Sequence, residues 1–309
     1  MKRKNEPAIL YDIRKNKSLL LMVLPAVCFF VLFSYVPMGG IVLAFKNLDY
    51  SLGIFKSPWV GFENFTFFFQ SGKAFLVTRN TVLYNTAFIC VNTVLNLTVA
   101  ILLSEMSSRL FKKAAQTMLL LPYFVSWVVV SAILYNLLNY EYGILNTFLT
   151  TLGFQAVDVY GNPGVWKYIL VALNAWKDVG YGSIVYLAAI MGIDREIYEA
   201  AEIDGATAFK KIFHITLPSL RPTIIILILL AIGNIFRGNF GMFYQVIGNN
   251  GTLFNATDVI DTFVFRSLIQ TREYGMSAAA GFYQSVLCFV ILMLSNTIVK
   301  KIDPDYALF

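Results

Sequence analysis

Ionisable side chains occur in the middle of a long apolar segment of this chain. Lys177 and Asp178 lie about 11 residues from the nearer end of segment 165–191, too deep for either to reach an end. Such a group at mid-bilayer costs about 2.5 to 3.5 kcal/mol on insertion scales. With Asn174 and Tyr181 they follow i, i+3, i+4, i+7 spacing, which places all four on one helix face. This pattern predicts either a water-filled path for a polar solute or a hydrogen-bonded patch against another subunit.

Two further segments carry side chains suited to binding a polar solute. Tyr123, Ser126 and Trp127 share a face, and the aromatic rings combine an apolar face for the C–H surface of a sugar with a polar edge for its hydroxyls. Alone, such a stripe is more typical of packing or of a lipid anchor than of a binding site. Arg237 and Asn239 either line the same path or, for Arg237, reach the outer headgroups.

Catalytic chemistry has little support in the sequence. The chain has one histidine, His214, so neither a histidine-based metal site nor a nucleophile–base triad can be assembled. Cys28, Cys90 and Cys288 lie within apolar runs and lack CxxC spacing, which is typical of packing residues. We therefore predict no catalytic residue, no metal site and no cofactor bound by this chain.

The elements that must position these residues are membrane spans. Of 309 residues, 58% are hydrophobic and 14% charged, and the mean hydropathy is +0.66. A soluble domain carries roughly 25% charged residues, so the composition excludes a cytoplasmic enzyme and a nucleic-acid binder. A bilayer core takes about 20 apolar residues of helix. The segments that qualify are 18–44, 80–104, 116–138, 165–191, 223–246 and 277–299.

The distribution of Lys and Arg predicts the orientation of these six spans. With the N-terminus inside, the inside segments hold 15 of these residues and the outside loops hold six. The positive-inside rule therefore places both termini in the cytoplasm. We expect an all-α integral membrane protein with a cytoplasmic segment 1–17, a six-helix domain 18–299 and a cytoplasmic tail 300–309. The outer loops, 46–79, 139–164 and 247–276, should contain short helices and turns.

The inside loop after the fourth span, residues 192–222, is strongly patterned. Asp194 is a good N-cap for a first short helix, and Gly205 a natural end to it. A second short helix should follow and end at Pro218. Two such helices lack the apolar surface for a core of their own. They must dock either on the helix ends of this chain or on another protein.

This loop resembles a motif of a known family. The loop matches, without a gap, the EAA loop of binding-protein-dependent ABC importer permeases. The matching pattern is Glu-Ala-Ala, three residues, Gly, nine residues and then Ile-Thr-Leu-Pro. The flanking Asp-Gly-Ala is similar to the carbohydrate branch of that family, the maltose-type and polysaccharide permeases. The residues involved are Glu199, Ala200, Ala201, Asp204, Gly205, Ala206, Ile215, Leu217 and Pro218.

The resemblance implies a fold, partners and a mechanism. The fold would be the type I ABC importer permease in a bacterial cytoplasmic membrane, with the EAA loop docked on a separate ATPase. The partners would be a second permease, as a heterodimer or a homodimer, two cytoplasmic ATPases and an extracellular solute-binding protein. ATP and Mg would bind to the ATPases, because this chain lacks the Gly-x-x-x-x-Gly-Lys-Ser/Thr phosphate loop.

The resemblance also implies residues for the substrate path. In maltose-type importers the substrate is held by residues that match Tyr123, Trp127, Asn174, Lys177 and Asp178 here. Positions near Arg237 and Asn239 are involved as well, after a two-residue adjustment. Maltose-type members have uncharged residues at the two ionisable positions of the fourth span, so the expected cargo is a different oligosaccharide or complex glycan.

Two other functions fit parts of the sequence. An importer for a non-sugar solute such as a peptide would keep the inside loop and change the polar stripe. An ion-coupled secondary transporter would use Lys177 and Asp178 as a proton or ion relay. The second alternative leaves the pattern from Glu199 to Pro218 without a role.

Overall fold

The computed structural model describes residues 15–302, and these residues form helices and no strand. The predicted N-terminal segment and C-terminal tail fall almost entirely outside them. The helices are α1 (Lys17–Phe45), α2 (Gly53–Lys56), α3 (Glu63–Gln70), α4 (Lys73–Glu105), α5 (Arg109–Phe124), α6 (Trp127–Leu138), α7 (Ile144–Thr151), α8 (Pro163–Met191), α9 (Arg195–Ile203), α10 (Ala208–Gly233), α11 (Phe240–Ile247), α12 (Phe254–Thr257), α13 (Ile260–Ile269) and α14 (Tyr274–Ile302).

Four helices of the described part of the chain are long and apolar enough to cross a membrane, namely α1, α4, α10 and α14. The bent pair of α5 and α6 makes a fifth if it is counted as one span. Helix α8 is not among these helices, although its 29 residues form roughly 43 Å of helix. It carries the ionisable pair of the predicted fourth span. The predicted all-α membrane architecture is confirmed, and the count of six spans stays a prediction. The loops predicted to lie outside contain short helices as expected.

Two of the predicted spans are broken. Segment 116–138 bends by 90° between α5 and α6, at the extended residues Val125 and Ser126. Segment 223–246 was expected to be one helix, and this is wrong, because α10 ends at Gly233 and α11 starts at Phe240. The stretch between them, Asn-Ile-Phe-Arg-Gly-Asn, is rich in turn formers.

The expected helix end at Pro218 is also wrong, because α10 runs through that proline. The π-helical turn Ile212–Thr216 comes directly before it, and the Leu217 N–H donates to the carbonyl five residues back. The same arrangement precedes Pro37: the π-turn Val31–Tyr35 is followed by Val36 and then by that proline. A π-turn changes the hydrogen-bond register where a proline supplies no N–H, so the helix continues.

Helix α8 packs along α4 and α5 at the centre of the fold. Two glycines permit the close approach. A Cβ atom on Gly180 would lie 1.8 Å from the Leu119 carbonyl oxygen of α5, and one on Gly182 would lie 2.1 Å from the Asn96 amide nitrogen of α4. The three helices therefore touch through backbone as well as side chains, which is typical of membrane helix packing.

Helix α1 differs from the others because most of it packs against no other part of the chain that the structure describes. No residue from Lys17 to Met38 is buried, although this stretch is the most apolar of the structure. Only its last turns, Gly39–Phe45, contact α14. Asn64 fixes this end by donating its amide to the Ala44 and Lys46 carbonyls at 3.0 and 3.1 Å. The rest of α1 is available to lipid or to another protein.

The close contact at Gly180 gives a prediction. Gly180→Ala should lower the stability of the purified protein by about 2 kcal/mol, because the new methyl group forces α5 and α8 apart. The apparent melting temperature in detergent measures this. Gly281→Ala in α14 is the matched control, since its Cβ would meet nothing within 4 Å and alanine favours helix. Equal melting temperatures for the two variants would contradict the contact.

Candidate functional site

The predicted polar stripe of α8 divides between two neighbouring helices. Asn174 and Asp178 face α4, where the Asn92 amide donates to Asn174 Oδ1 at 2.9 Å and the Asn96 amide donates to Asp178 Oδ2 at 3.4 Å. The Oδ1 atoms of both α4 asparagines are buried and lack a hydrogen-bond partner within the described residues. The result is a polar ladder inside one chain, where the sequence predicted a solute path or a contact with another subunit.

Lys177 faces α5 and has a structural partner set. Its ammonium donates to the carbonyls of Pro122 at 3.0 Å and Tyr123 at 2.7 Å, and also to that of Val125. These carbonyls lie at the 90° bend that ends α5, where no following helical turn supplies N–H donors. The Pro122 carbonyl also accepts from the Val125 N–H at 3.2 Å, whereas the other two lie beyond that last turn. A cation at a helix C-terminus also complements the partial negative charge there. Lys177 therefore stabilises the break between α5 and α6.

An aromatic group surrounds the same ammonium. The rings of Tyr123 and Tyr181 stack at 4.5 Å with 10° between their planes, and both are about half exposed. The Lys177 nitrogen lies 5.8 Å from the Tyr123 ring centre and 5.4 Å from that of Trp127, within the range of a cation–π contact. A methyl on Gly241 of α11 would lie 3.1 Å from Trp127 Cδ1.

The break between α10 and α11 is held by side chains in the same way. Asn85 of α4 donates to the Ile235 and Arg237 carbonyls at 2.8 and 3.0 Å. Gln284 of α14 donates to the Phe236 carbonyl at 2.7 Å. Asp261 of α13 accepts from the Gly238 N–H at 2.6 Å. The backbone of this segment is thereby satisfied by three different helices.

Asn239 and Arg237 both belong to that break, but their side chains have different neighbours. Asn239 is the N-cap of α11, and its Oδ1 accepts from the Met242 N–H at 3.1 Å. The same oxygen would lie 3.7 Å from a methyl on Gly241, which places it beside Trp127. The Arg237 side chain interacts instead with Asp261 and the Cys288 thiol, against α13 and α14.

The structure thus brings together five of the candidates, and we call them the aromatic patch: Tyr123, Trp127, Lys177, Tyr181 and Asn239. It also brings the N-terminal turns of α6 and α11 to that patch, and helix N-termini carry partial positive charge. It leaves Asn174 and Asp178 on α4, and Arg237 towards α14.

Several residues of this arrangement were missed from the sequence. Asn85, Asn92 and Asn96 of α4 follow i, i+7, i+11 spacing, which places them on one face of an apolar helix. That spacing was a usable signal. Gln284 and Asp261 gave none, because their partners lie in distant segments: the backbone between α10 and α11 and, at 2.9 Å, each other.

The inside loop has the local structure that its sequence predicted for its first helix. The Asp194 side chain caps the start of α9. Gly205 takes a φ of +74°, its N–H donates to the Glu202 carbonyl at 3.0 Å, and the Ala206 N–H donates to the Ala201 carbonyl at 2.9 Å. These two bonds and the left-handed glycine form a Schellman motif. The turn after α9 is therefore tightly defined.

Several side chains of this loop are exposed. Glu199 is exposed, and two large apolar side chains on either side of Gly205 are strongly so, Ile203 at 88% and Phe209 at 75%. A hydrogen bond of 2.9 Å between the Tyr198 and Thr216 hydroxyls ties α9 to α10. Of the other motif residues, Ala200, Asp204 and Pro218 are exposed, and Ala201, Ala206, Ile215 and Leu217 are half-buried.

The family model for the inner membrane component of binding-protein-dependent transport systems matches residues 96–304, which include the inside loop and the aromatic patch. The chain belongs to this family. The predicted resemblance is confirmed, and the protein is a permease subunit of the ABC importer type.

Similar proteins are found in Bacillus subtilis (strain 168). Protein LplB is 33% identical over 293 residues, which cover 95% of this chain and 92% of LplB. The polygalacturonan/rhamnogalacturonan transport system permease protein YteP is 32% identical over 304 residues, 98% of this chain and 94% of YteP.

Solved structures give the permease fold directly. A chain from the crystal structure of a bacterial ABC transporter involved in the import of the acidic polysaccharide alginate superimposes with a TM-score of 0.86 at 32% identity, over 96% of this chain and 100% of that one. The alginate transporter in complex with an alginate pentasaccharide-bound periplasmic protein gives 0.85 at 31% identity, over 96% and 98%. The predicted type I ABC permease fold is thereby confirmed.

The contacts of Lys177 predict that the permease needs it for stability. Lys177→Met should lower the apparent melting temperature by several degrees, because three carbonyls lose a charged donor and each such bond contributes about 1.5 to 3 kcal/mol. Lys177→Arg should recover part of the loss. Lys167→Met, an exposed lysine on the same helix, is the control. Lost transport at an unchanged melting temperature would show instead that Lys177 acts on the substrate.

Proposed function

We propose that this permease carries oligosaccharides of a complex glycan across the bacterial cytoplasmic membrane, driven by ATP hydrolysis in partner subunits. The observation that carries the proposal is the similarity along nearly the whole chain to permeases of polygalacturonan/rhamnogalacturonan and alginate import. The aromatic patch supports it, because half-exposed tyrosine rings beside a tryptophan offer flat faces to sugar rings.

The substrate contacts are proposed for the aromatic patch. Tyr123, Tyr181 and Trp127 would stack on sugar rings, and Asn239 would contact hydroxyl groups. The converging N-termini of α6 and α11 suit an anionic group on the glycan. Lys177 would contribute mainly by holding the bend that places the rings. Three other residues are also expected in the path, namely Asn174, Asp178 and Arg237. We propose that they line it only with the atoms that are not already bound to partners within this chain.

The inside loop is proposed to be the coupling element. Ile203 and Phe209 would enter a groove of the ATPase, with Glu199 pairing a basic residue at its rim. The defined turn at Gly205 would transmit the displacement, because α9 is tied to α10 by Tyr198 and Thr216. Two ATPases would bind ATP and Mg, and this chain would bind no cofactor.

The partners and topology complete the proposal. We infer six spans with both termini in the cytoplasm, from the distribution of Lys and Arg. A second permease would complete the path, and the unpacked length of α1 offers it an apolar surface. An extracellular binding protein would deliver the glycan to the outer loops, as a periplasmic protein is present in the alginate transporter complex.

A direct experiment tests the substrate class. The chain is co-purified with its partners, and ATP hydrolysis of the whole assembly is measured with polygalacturonan, rhamnogalacturonan and alginate oligosaccharides, and with a dipeptide. We expect stimulation by at least one oligosaccharide and none by the dipeptide. Stimulation by the dipeptide alone would reject a glycan as substrate.

The coupling role gives a prediction with a matched control. Gly205→Ala places a side chain at a φ of +74°, which costs about 1 to 2 kcal/mol, and the turn should relax to avoid it. Glycan-stimulated ATP hydrolysis should fall about tenfold, while the binding protein still binds its glycan. Gly153→Ala carries the same strain at a φ of +83° in an outer loop, with nothing within 4 Å of the new atom in either case. Equal hydrolysis in the two variants would remove the coupling role of Gly205.

A further inference from the structure

A cavity of about 930 Å³ lies beside α6 and the turn that follows it. Its walls come from α6, the loop 139–142 and the end of α11. Four tyrosines line it, Tyr135, Tyr140, Tyr142 and Tyr160. Its volume falls within the range of small-ligand sites. It lies on the outer side of the membrane in the proposed topology, and none of its lining residues belongs to the aromatic patch.

The tyrosine rings are arranged to offer both faces and edges. The Tyr135 ring lies 5.6 Å from the Tyr160 ring and 6.2 Å from the Tyr142 ring, in edge-to-face geometry. Tyr140 and Tyr142 are more than half exposed. Burial raises the pKa of Tyr160 to about 12, and a hydrogen bond to Tyr135 raises the pKa of Tyr142. The phenols of Tyr160 and Tyr142 therefore keep their protons at neutral pH and can donate hydrogen bonds.

The backbone that carries these rings is fixed by asparagine side chains. Asn139 Oδ1 accepts from the Tyr142 N–H at 3.2 Å and caps the turn. The Asn146 amide donates to the Tyr140 carbonyl at 3.2 Å, and the Asn250 amide donates to the Tyr160 carbonyl at 3.0 Å. Rings held on such a scaffold lose little conformational entropy on binding a ligand.

The lining chemistry specifies the ligand. Aromatic faces, phenol groups and the amides of Asn139, Gln245 and Asn250 suit a ring with an apolar face and several hydroxyls. Glu141 is the one charged residue among the described residues that line the cavity. Its carboxylate repels another carboxylate nearby. The cavity therefore favours a sugar ring without a charge over a uronate.

The distance from the aromatic patch sets the length of the ligand. Ser131 and Tyr135 lie four and eight residues after Trp127 on the same face of α6, so Tyr135 is about 12 Å farther along the helix. A single sugar ring cannot contact both places. An oligosaccharide can, with one unit in each.

We propose that this cavity is a second saccharide subsite, which binds an uncharged sugar ring of an oligosaccharide whose other units lie at the aromatic patch. The proposal rests on the proposed function as a glycan permease. It adds a location, four stacking residues and a preference for an uncharged ring at one position of the oligosaccharide.

The test uses two tetrasaccharides and the purified assembly with its partners. A rhamnogalacturonan tetrasaccharide contains neutral rhamnose, whereas tetragalacturonate carries a carboxylate on every unit. Dissociation constants are measured by calorimetry. Tyr142→Ala should weaken binding of the rhamnogalacturonan tetrasaccharide about tenfold and change that of tetragalacturonate less than about twofold. Glu141→Gln removes the repulsion without changing packing, and should tighten tetragalacturonate binding about threefold or more.

The control and the contrary outcomes separate this proposal from the glycan function. Tyr168→Ala removes an exposed tyrosine of α8 that lines neither the cavity nor the aromatic patch, and should leave both constants unchanged. If the wild type binds either probe and neither cavity variant alters binding, the subsite is wrong and the glycan function stands. Equal weakening of both probes by Tyr142→Ala overturns the preference for an uncharged ring. Binding of neither probe by the wild type overturns the subsite together with these glycans as substrates.

Discussion

The need to satisfy every backbone amide and carbonyl inside a bilayer governs this structure. A broken helix in hydrocarbon exposes groups that water cannot reach, and each one left unpaired costs several kcal/mol. The two breaks here are completed by side chains from other helices. Lys177 completes the end of α5, and Asn85, Gln284 and Asp261 complete the segment between α10 and α11. Polar residues in the apolar segments therefore have a structural task first.

The breaks in turn create the binding surface. A straight helix presents only side chains, whereas a broken one can also direct the start of a new helix into the interior. Trp127 is the first residue of α6 and Asn239 is the N-cap of α11, and both lie against Gly241. The same geometry recurs in transporters with interrupted helices. Lys177 links structure to function here, because it holds the bend that places Tyr123 and Trp127.

Local features of the fold could be predicted from the sequence, and features that depend on a distant partner could not. Asp194 and Gly205 act within their own turn, so the first helix of the inside loop was predicted correctly. The helix end predicted at Pro218 was wrong because the effect of this proline depends on a π-turn, which no residue type predicts. Among the candidates of the site, spacing alone grouped Asn174 and Lys177 on one face, but the closeness of α4 on one side and α5 on the other separated them. The outer tyrosine cavity joins residues more than 100 positions apart, which spacing cannot reveal.

The π-turn before Pro218 also fixes an angle. One extra residue in a helical turn rotates everything beyond it by about 100° relative to an uninterrupted helix. Residues 212–216 lie within the inside loop, between its exposed side chains Ile203 and Phe209 and the membrane part of α10. The direction in which these two side chains point is therefore set independently of which face of α10 meets α14. A single-residue deletion there would preserve both surfaces and their sequences. It would leave the loop aimed at a different side of the molecule.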